Sequence, residues 1–268
     1  MSLGIAFKAP EGIILAADSR VTLSTKTVTP SETIIHNSTY DNATKLLRVN
    51  GQDHVGAITY GIGSINTPEP RTAHSFIPEV EKHLFGLARL TVEEFAKELS
   101  SFFMGRWTST SNPIAQGQDM IFLVGGYDDG AAFGRIFEFG IPNRPTPVER
   151  VFPANFGLIW GGQQEYVDML MNGHDARLPI MLQAKLGLSD MQRDDLMNEI
   201  QNNFASKIPF AFLPLQDCVD LVIFLIRTTI TMQHWLLGVR GVGGAIDVAV
   251  ITPAEGIREI QRKSLSGE

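Results

Sequence analysis

A single cysteine, Cys218, stands in 268 residues. Without a second thiol, an internal disulfide and a thiolate metal cluster are both excluded, which fits a reducing, cytoplasmic setting. Long apolar runs are also missing. The longest, Leu221 to Ile226, ends at Arg227, far short of the roughly 20 residues that span a bilayer as a helix. The first residues carry neither a basic stretch nor an extended apolar one, so no secretory signal is expected. Positive charge is not in surplus: 22 basic residues against 29 acidic give −7, which argues against nucleic-acid binding through a basic surface. Histidines 36, 54, 74, 83, 174 and 234 show no ligand spacing. No metal, no other cofactor and no membrane partner is expected.

What is present is apolar material in ordinary proportion, 44% against 19% charged, enough for a substantial core. Strands are expected at Leu3 to Ala9 and Gly12 to Ala17, joined at Pro10-Glu11 as a tight hairpin. Residues 21 to 44 are rich in Ser, Thr and Asn without helical period and read as a long connection, with a local hairpin around Thr33 to His36. A strand pair follows at Lys45 to Val49 and His54 to Tyr60. Between Arg71 and Trp107 the period changes to helical, with a capping-box spacing at Thr91 and Glu94. His83 falls on an apolar helical face and reads as a buried ring. Strands return in MIFLVGGYDD and FGRIFEFGIP, at an edge near Val148 to Phe152, and in FGLIWGG. Helices are then expected at Gln163 to Met171, Ser189 to Phe204 and Leu215 to Leu237 (carrying Cys218 as a packing residue), before closing strands at Ala245 to Ile251 and Ile257 to Gln261. Strands and helices come in blocks rather than in alternation, so the class is α+β. Two antiparallel sheets face to face, each covered outside by helices, would bury every apolar face. No linker divides residues 1–268, and one domain is expected.

The opening MSLGIAFKAPEGIILAADSRVT carries the chemistry. Its apolar second strand runs into Asp18-Ser19-Arg20, which sets charged groups beside the first residues. On their own these residues read as an ion pair closing a hairpin. Together with Gly12 and Ala6-Phe7-Lys8, however, the stretch resembles the N-terminus of proteasome β-type subunits, within the N-terminal-nucleophile hydrolases. The resemblance implies the four-layer αββα sandwich. In ungapped register it places Ser2 on the nucleophile position, Asp18 on the Asp position, and Arg20 beside it as a brace. A terminal nucleophile uses its own α-amine as base, whose ordinary pKa of about 7.7–8.0 suits proton transfer near neutrality. The resemblance also calls for a lysine entering the next sheet strand. Lys45, followed by Leu46-Leu47-Arg48-Val49, fits it, after a longer connection than the family leads one to expect. Lys26 is the rival, with no strand expected after it.

By the same resemblance Gly61, in TYGIGS, donates to the oxyanion, and Val21 and Ile58 line a side-chain pocket. Attached Met1 would block the amine, but serine at the second position permits ordinary methionine removal. Two stretches depart from the family. Ile159-Trp160-Gly161-Gly162 and Val239-Arg240-Gly241-Val242-Gly243-Gly244 keep glycines but lack the family's Ser, Asp and Ser. Gln163 and Thr59 are candidates to hold the amine instead. The glycine run lacks the Lys-Ser/Thr of a phosphate loop. The resemblance implies cleavage of peptides or unfolded proteins inside a homo-oligomeric ring, with an ATP-dependent unfoldase as a conceivable partner. Two alternatives stand beside it, a ring subunit with a decayed site and a small-molecule amidase on the same fold.

Overall fold

The computed structural model describes residues 2–28, 33–66, 70–109, 118–152, 155–238 and 240–263. Strands β1 (Leu3–Lys8) and β2 (Ile13–Asp18) form the opening hairpin, in register from Gly4 opposite Ala17 to Lys8 opposite Ile13. There follow β3 (Val21–Val28), β4 (Thr33–Tyr40), β5 (Leu46–Leu47), β6 (Val55–Gly61) and the short β7 (Ile65–Asn66) and β8 (Pro70–Arg71). After helices α1 (Ile77–His83) and α2 (Val92–Thr108) come β9 (Met120–Gly126), β10 (Arg135–Ile141), β11 (Arg144–Glu149) and β12 (Gly157–Gly162). Helices α3 (Glu165–Asn172), α4 (Arg177–Leu186), α5 (Asp190–Phe204) and α6 (Leu215–Trp235) precede β13 (Ile246–Thr252) and β14 (Gly256–Gln261).

The two five-stranded sheets have the orders β12-β1-β2-β13-β14 and β11-β10-β9-β6-β5, and every pairing in them is antiparallel. Strand alternation explains how they stack. Ile13, Leu15 and Ala17 enter a core with Ile58, Leu123, Ile136 and Ala249 between the sheets. Their neighbours Ile14 and Ala16 pack with Val222 and Ile226 of α6 on the opposite face. A third core joins Phe95 and Phe103 of α2 to Phe122 and Phe139 of the second sheet. Three apolar layers between four structural layers make the expected αββα sandwich. They also account for uninterrupted apolar strands in antiparallel sheets, since both faces are covered. Among the described residues no helix is long and apolar enough to cross a membrane.

The structure differs from the sequence reading in four places. Residues 21 to 44 are mostly a ribbon, not a loop: β3 and β4 pair continuously from Val21 opposite Tyr40 to Val28 opposite Thr33. Their Val, Thr and Ile content is β-branched, which suits strand backbone even where the chain is polar. The edge strand β11 begins at Arg144 and contains Pro145 and Pro147, tolerated because an edge leaves N–H positions unpaired. Helix α4 was not expected; Pro179 lies in its first turn, where a missing N–H costs nothing. His83 is not buried. Helix α1 ends there, and the ring, 41% exposed, meets Glu98 Oε2 at 2.9 Å.

Candidate active site

Asp18 ends β2 with no exposed surface. A carboxylate buried this deeply must find donors for its lone pairs, and it finds four. Oδ1 accepts from the Leu3 amide at 3.1 Å and from Lys45 Nζ at 2.5 Å; Oδ2 accepts from the Arg20 amide at 3.1 Å and the Gly243 amide at 3.0 Å. Two donors on one oxygen place the Lys45 ammonium within about 6 Å of the Leu3 amide, one residue from Ser2. Ser2 itself is 3% exposed.

Lys45 enters β5, and its carbonyl accepts from the Thr59 amide at 3.0 Å, which ties it to β6. Burial pushes its ammonium below the ordinary lysine pKa. Asp18 opposes that shift through its charge and hydrogen bond, Lys263 adds to it, and Asp247 opposes it. The result is a desolvated ammonium held by one carboxylate. The backbone of Lys26, the rival, lies inside β3 opposite Ile35.

Arg20 supports Asp18 through its amide, not its guanidinium. The guanidinium grips Asp41 in a two-pronged pair, Nε to Oδ1 at 2.5 Å and Nη2 to Oδ2 at 2.6 Å, and Nη1 donates to the Arg240 carbonyl at 3.2 Å. This hydrogen bonding holds the Asp41 carboxyl below its usual range. Nothing in the sequence marked Asp41 as the partner.

The glycine stretches serve close packing here. Gly162 has φ +102°, and a Cβ there would come within 1.8 Å of the Ser2 carbonyl oxygen; at Gly161 it would meet the Tyr60 hydroxyl at 2.3 Å. The Ser2 carbonyl accepts from the Gln163 amide at 2.8 Å. Gln163 Oε1 accepts in turn from Gln233 Nε2, and Gln233 Oε1 from the Val242 amide at 2.9 Å, next to the Gly243 amide on Asp18. Gln233, 6% exposed on the apolar helix α6, is a site residue the sequence reading missed; a glutamine facing the core there was the available signal. A cleft of about 170 Å³ lined by Gln163, Tyr166, Met169, Gln233 and Arg240 opens beside this network.

Gly61 closes β6 opposite Met120 with φ +86°, backed by the Asp119 carbonyl, which a Cβ would approach to 2.3 Å. Val21 packs against the same turn, where a Cβ on Gly63 would strike it at 2.2 Å. Ile58 is in the inter-sheet core without exposed surface, because alternation along β6 turns it inward toward Gly4, so as placed it lines no opening. Met1 lies outside the described residues. Among the described residues no cluster of His, Cys, Asp or Glu could hold a metal ion.

No protein-family model and no curated protein sequence matches the chain. Solved structures do. A mutant (Gly-1) of Anbu from Hyphomicrobium sp. strain MC1 superposes with a TM-score of 0.55 over 97% of this chain and 86% of its own, at 12% identity. The fold is that of Anbu. Anbu from Pseudomonas aeruginosa, described as a helical assembly, gives 0.54 at 15% identity over 96% of this chain and 84% of that one. Anbu from Yersinia bercovieri, described as an ancestral β-subunit, gives 0.51 at 15% over 96% and 87%. At such identities the likeness speaks for the fold alone.

Proposed function

We propose that this chain is a single-domain N-terminal-nucleophile hydrolase that cleaves peptide amide bonds with Ser2 after Met1 is removed. The observation that carries the reading is the buried Asp18–Lys45 couple, with the amide following Ser2 on the same carboxylate oxygen. In the reaction the freed α-amine takes the Ser2 hydroxyl proton as Oγ attacks the substrate carbonyl. The Lys45 ammonium, fixed by Asp18, favours the developing alkoxide, and the Gly61 turn offers a backbone N–H to the oxyanion. The amine returns the proton to the leaving nitrogen as the C–N bond breaks, leaving an ester on Ser2 that water hydrolyses. Self-assembly belongs to the same proposal; it is supported by the Anbu structure described as a helical assembly.

A second reading, a scaffold subunit without turnover, draws on the glycines standing where the family carries Ser and Asp, and on the 3% exposure of Ser2. Intact-mass measurement and treatment with a β-lactone separate the two. Loss of Met1 and a single adduct on Ser2, absent in Ser2→Ala, support the hydrolase. Full retention of Met1, or peptide cleavage that survives Ser2→Ala, removes Ser2 from the mechanism. Comparing peptides with small amides then tells peptidase from amidase.

A further inference from the structure

A second buried ion pair lies beside the first. Lys263 Nζ sits 2.5 Å from Asp247 Oδ2, the lysine side chain 11% exposed and the aspartate 4%. All three donors of the ammonium are used: it also donates to the Ala43 carbonyl at 3.0 Å and to Ser19 Oγ at 3.2 Å. The segments it joins are not arbitrary. Ser19 follows Asp18 directly, and Ala43 is two residues ahead of Lys45. Ser19 and Ala43 are already in contact, the Ala43 amide donating to the Ser19 carbonyl at 3.0 Å, while Ser19 Oγ donates to the Ala245 carbonyl at 2.6 Å. Asp247 is the one charged residue of β13, and its Oδ1 accepts from the Lys263 amide at 3.3 Å.

We infer that Lys263 is a positioning residue for the Ser2 site, its ammonium clamping the end of β2 to the approach to Lys45 with Asp247 as counter-charge. The inference rests on the reading of Asp18 and Lys45 as the charged couple of that site. The clamp acts on both halves of the couple at once, since Asp18 and Lys45 are carried by the two backbones that Lys263 joins. It also acts through charge, because Lys263 is one of the groups that hold the Lys45 ammonium low, with burial the larger cause. The charged groups facing Lys45 are Asp18, Asp41, Asp247 and Lys263.

Amide hydrogen exchange of the full chain, followed by NMR in wild type, Lys263→Met and Lys263→Arg, tests the clamp without reference to activity. Lys263→Met should accelerate exchange of the Leu3 and Gly243 amides, both donors to Asp18, by ~tenfold beyond any change in the amides of β9. Lys263→Arg should restore most of the protection. The Lys45 titration in the same spectra should move upward in Lys263→Met, because a repelling cation is lost and Asp247 is left uncompensated. Uniform acceleration through both sheets, or none at Leu3 and Gly243, overturns the inference. Should Lys263→Met fail to fold, Asp247→Asn replaces it, with the same local acceleration expected and its absence equally fatal. The rate of Ser2 acylation by a β-lactone is the second readout. Failure of wild type to acylate sinks the nucleophile reading and leaves the clamp to be decided by exchange. Equal acylation rates in wild type and Lys263→Met, at an unmoved Lys45 titration, sink the clamp alone.

Discussion

Replacing Asp18 with asparagine changes one oxygen into an NH2 group and removes one charge. The surroundings of that carboxylate set the cost. Four donors converge on it; an asparagine must turn its own NH2 toward either the Leu3–Lys45 pair or the Arg20–Gly243 pair, donor against donor. Lys45 then stands as a buried cation without its counter-charge. Both side chains are almost fully enclosed, 0% and 7% exposed, so solvent screening gives little relief. Breaking a buried pair by removing one partner costs about 3–5 kcal/mol, and in a chain of this size that lowers the melting temperature by about 10 °C. The loss also depends on pH. Burial already holds the Lys45 pKa below its ordinary value, and Asp18 is the largest opposing influence. Without it the folded-state pKa falls further, so the folded variant releases the proton before the unfolded chain does. Stability of the variant therefore rises with pH from the depressed pKa up to the ordinary lysine value, and the gap to wild type narrows. Urea unfolding of both proteins at pH 7 and pH 9.5 measures it. A loss under about 1 kcal/mol at pH 7, or an equal loss at both values, would refute the account of Lys45 as a desolvated ammonium dependent on Asp18.

Gly162→Ala places a Cβ against the Ser2 carbonyl at a left-handed backbone position, whereas Gly51→Ala has φ +83° with nothing within 4 Å. Chemical denaturation should show about 1 kcal/mol lost at Gly51 and at least about twice that at Gly162; equal losses would mean the Ser2 contact is not tight. Cys218 is fully buried, and burial pushes its thiol up to about 11. The folded chain at pH 7.5 should therefore resist a thiol reagent that labels one equivalent in urea, and rapid labelling of folded protein would show α6 to be loosely docked.

Much of the fold was legible because its strands and helices announce themselves by period. The run Ile13 to Ala17 is buried on both faces, and the capping box at Thr91 and Glu94 is formed, with the Glu94 amide donating to Thr91 Oγ1 at 3.2 Å and Glu94 Oε2 accepting from the Thr91 amide at 2.9 Å. What the sequence hid has a common physical cause. The β3–β4 ribbon is held by backbone pairing, and its many Ser, Thr and Asn residues imitate a loop. Asp41 and Gln233 matter through partners 21 and 70 positions away, and no local pattern records such distances. Asp18 and Lys45 were legible only because a recognisable hairpin carries the first, and the strand Leu46-Leu47 follows the second.

Two glycine pairs border the charged couple. As letters, Gly161-Gly162 and Gly243-Gly244 look like a site that has lost its serines and aspartate. As geometry, each removes a Cβ from a place where something else must stand: the Tyr60 hydroxyl at 161, the Ser2 carbonyl at 162, the Arg20 guanidinium at 243 and the Asp41 carbonyl at 244. Close approach at 243 is also what lets its amide reach Asp18 at 3.0 Å. A backbone N–H in that position supplies a hydrogen bond to the carboxylate with no side-chain entropy to lose. At Asp18 that hydrogen bond comes from backbone, and the missing Cβ at 243 leaves the space in which Arg20 locks Asp41. Glycine at these four positions is therefore accounted for by the close approach of Tyr60, Ser2, Arg20 and Asp41.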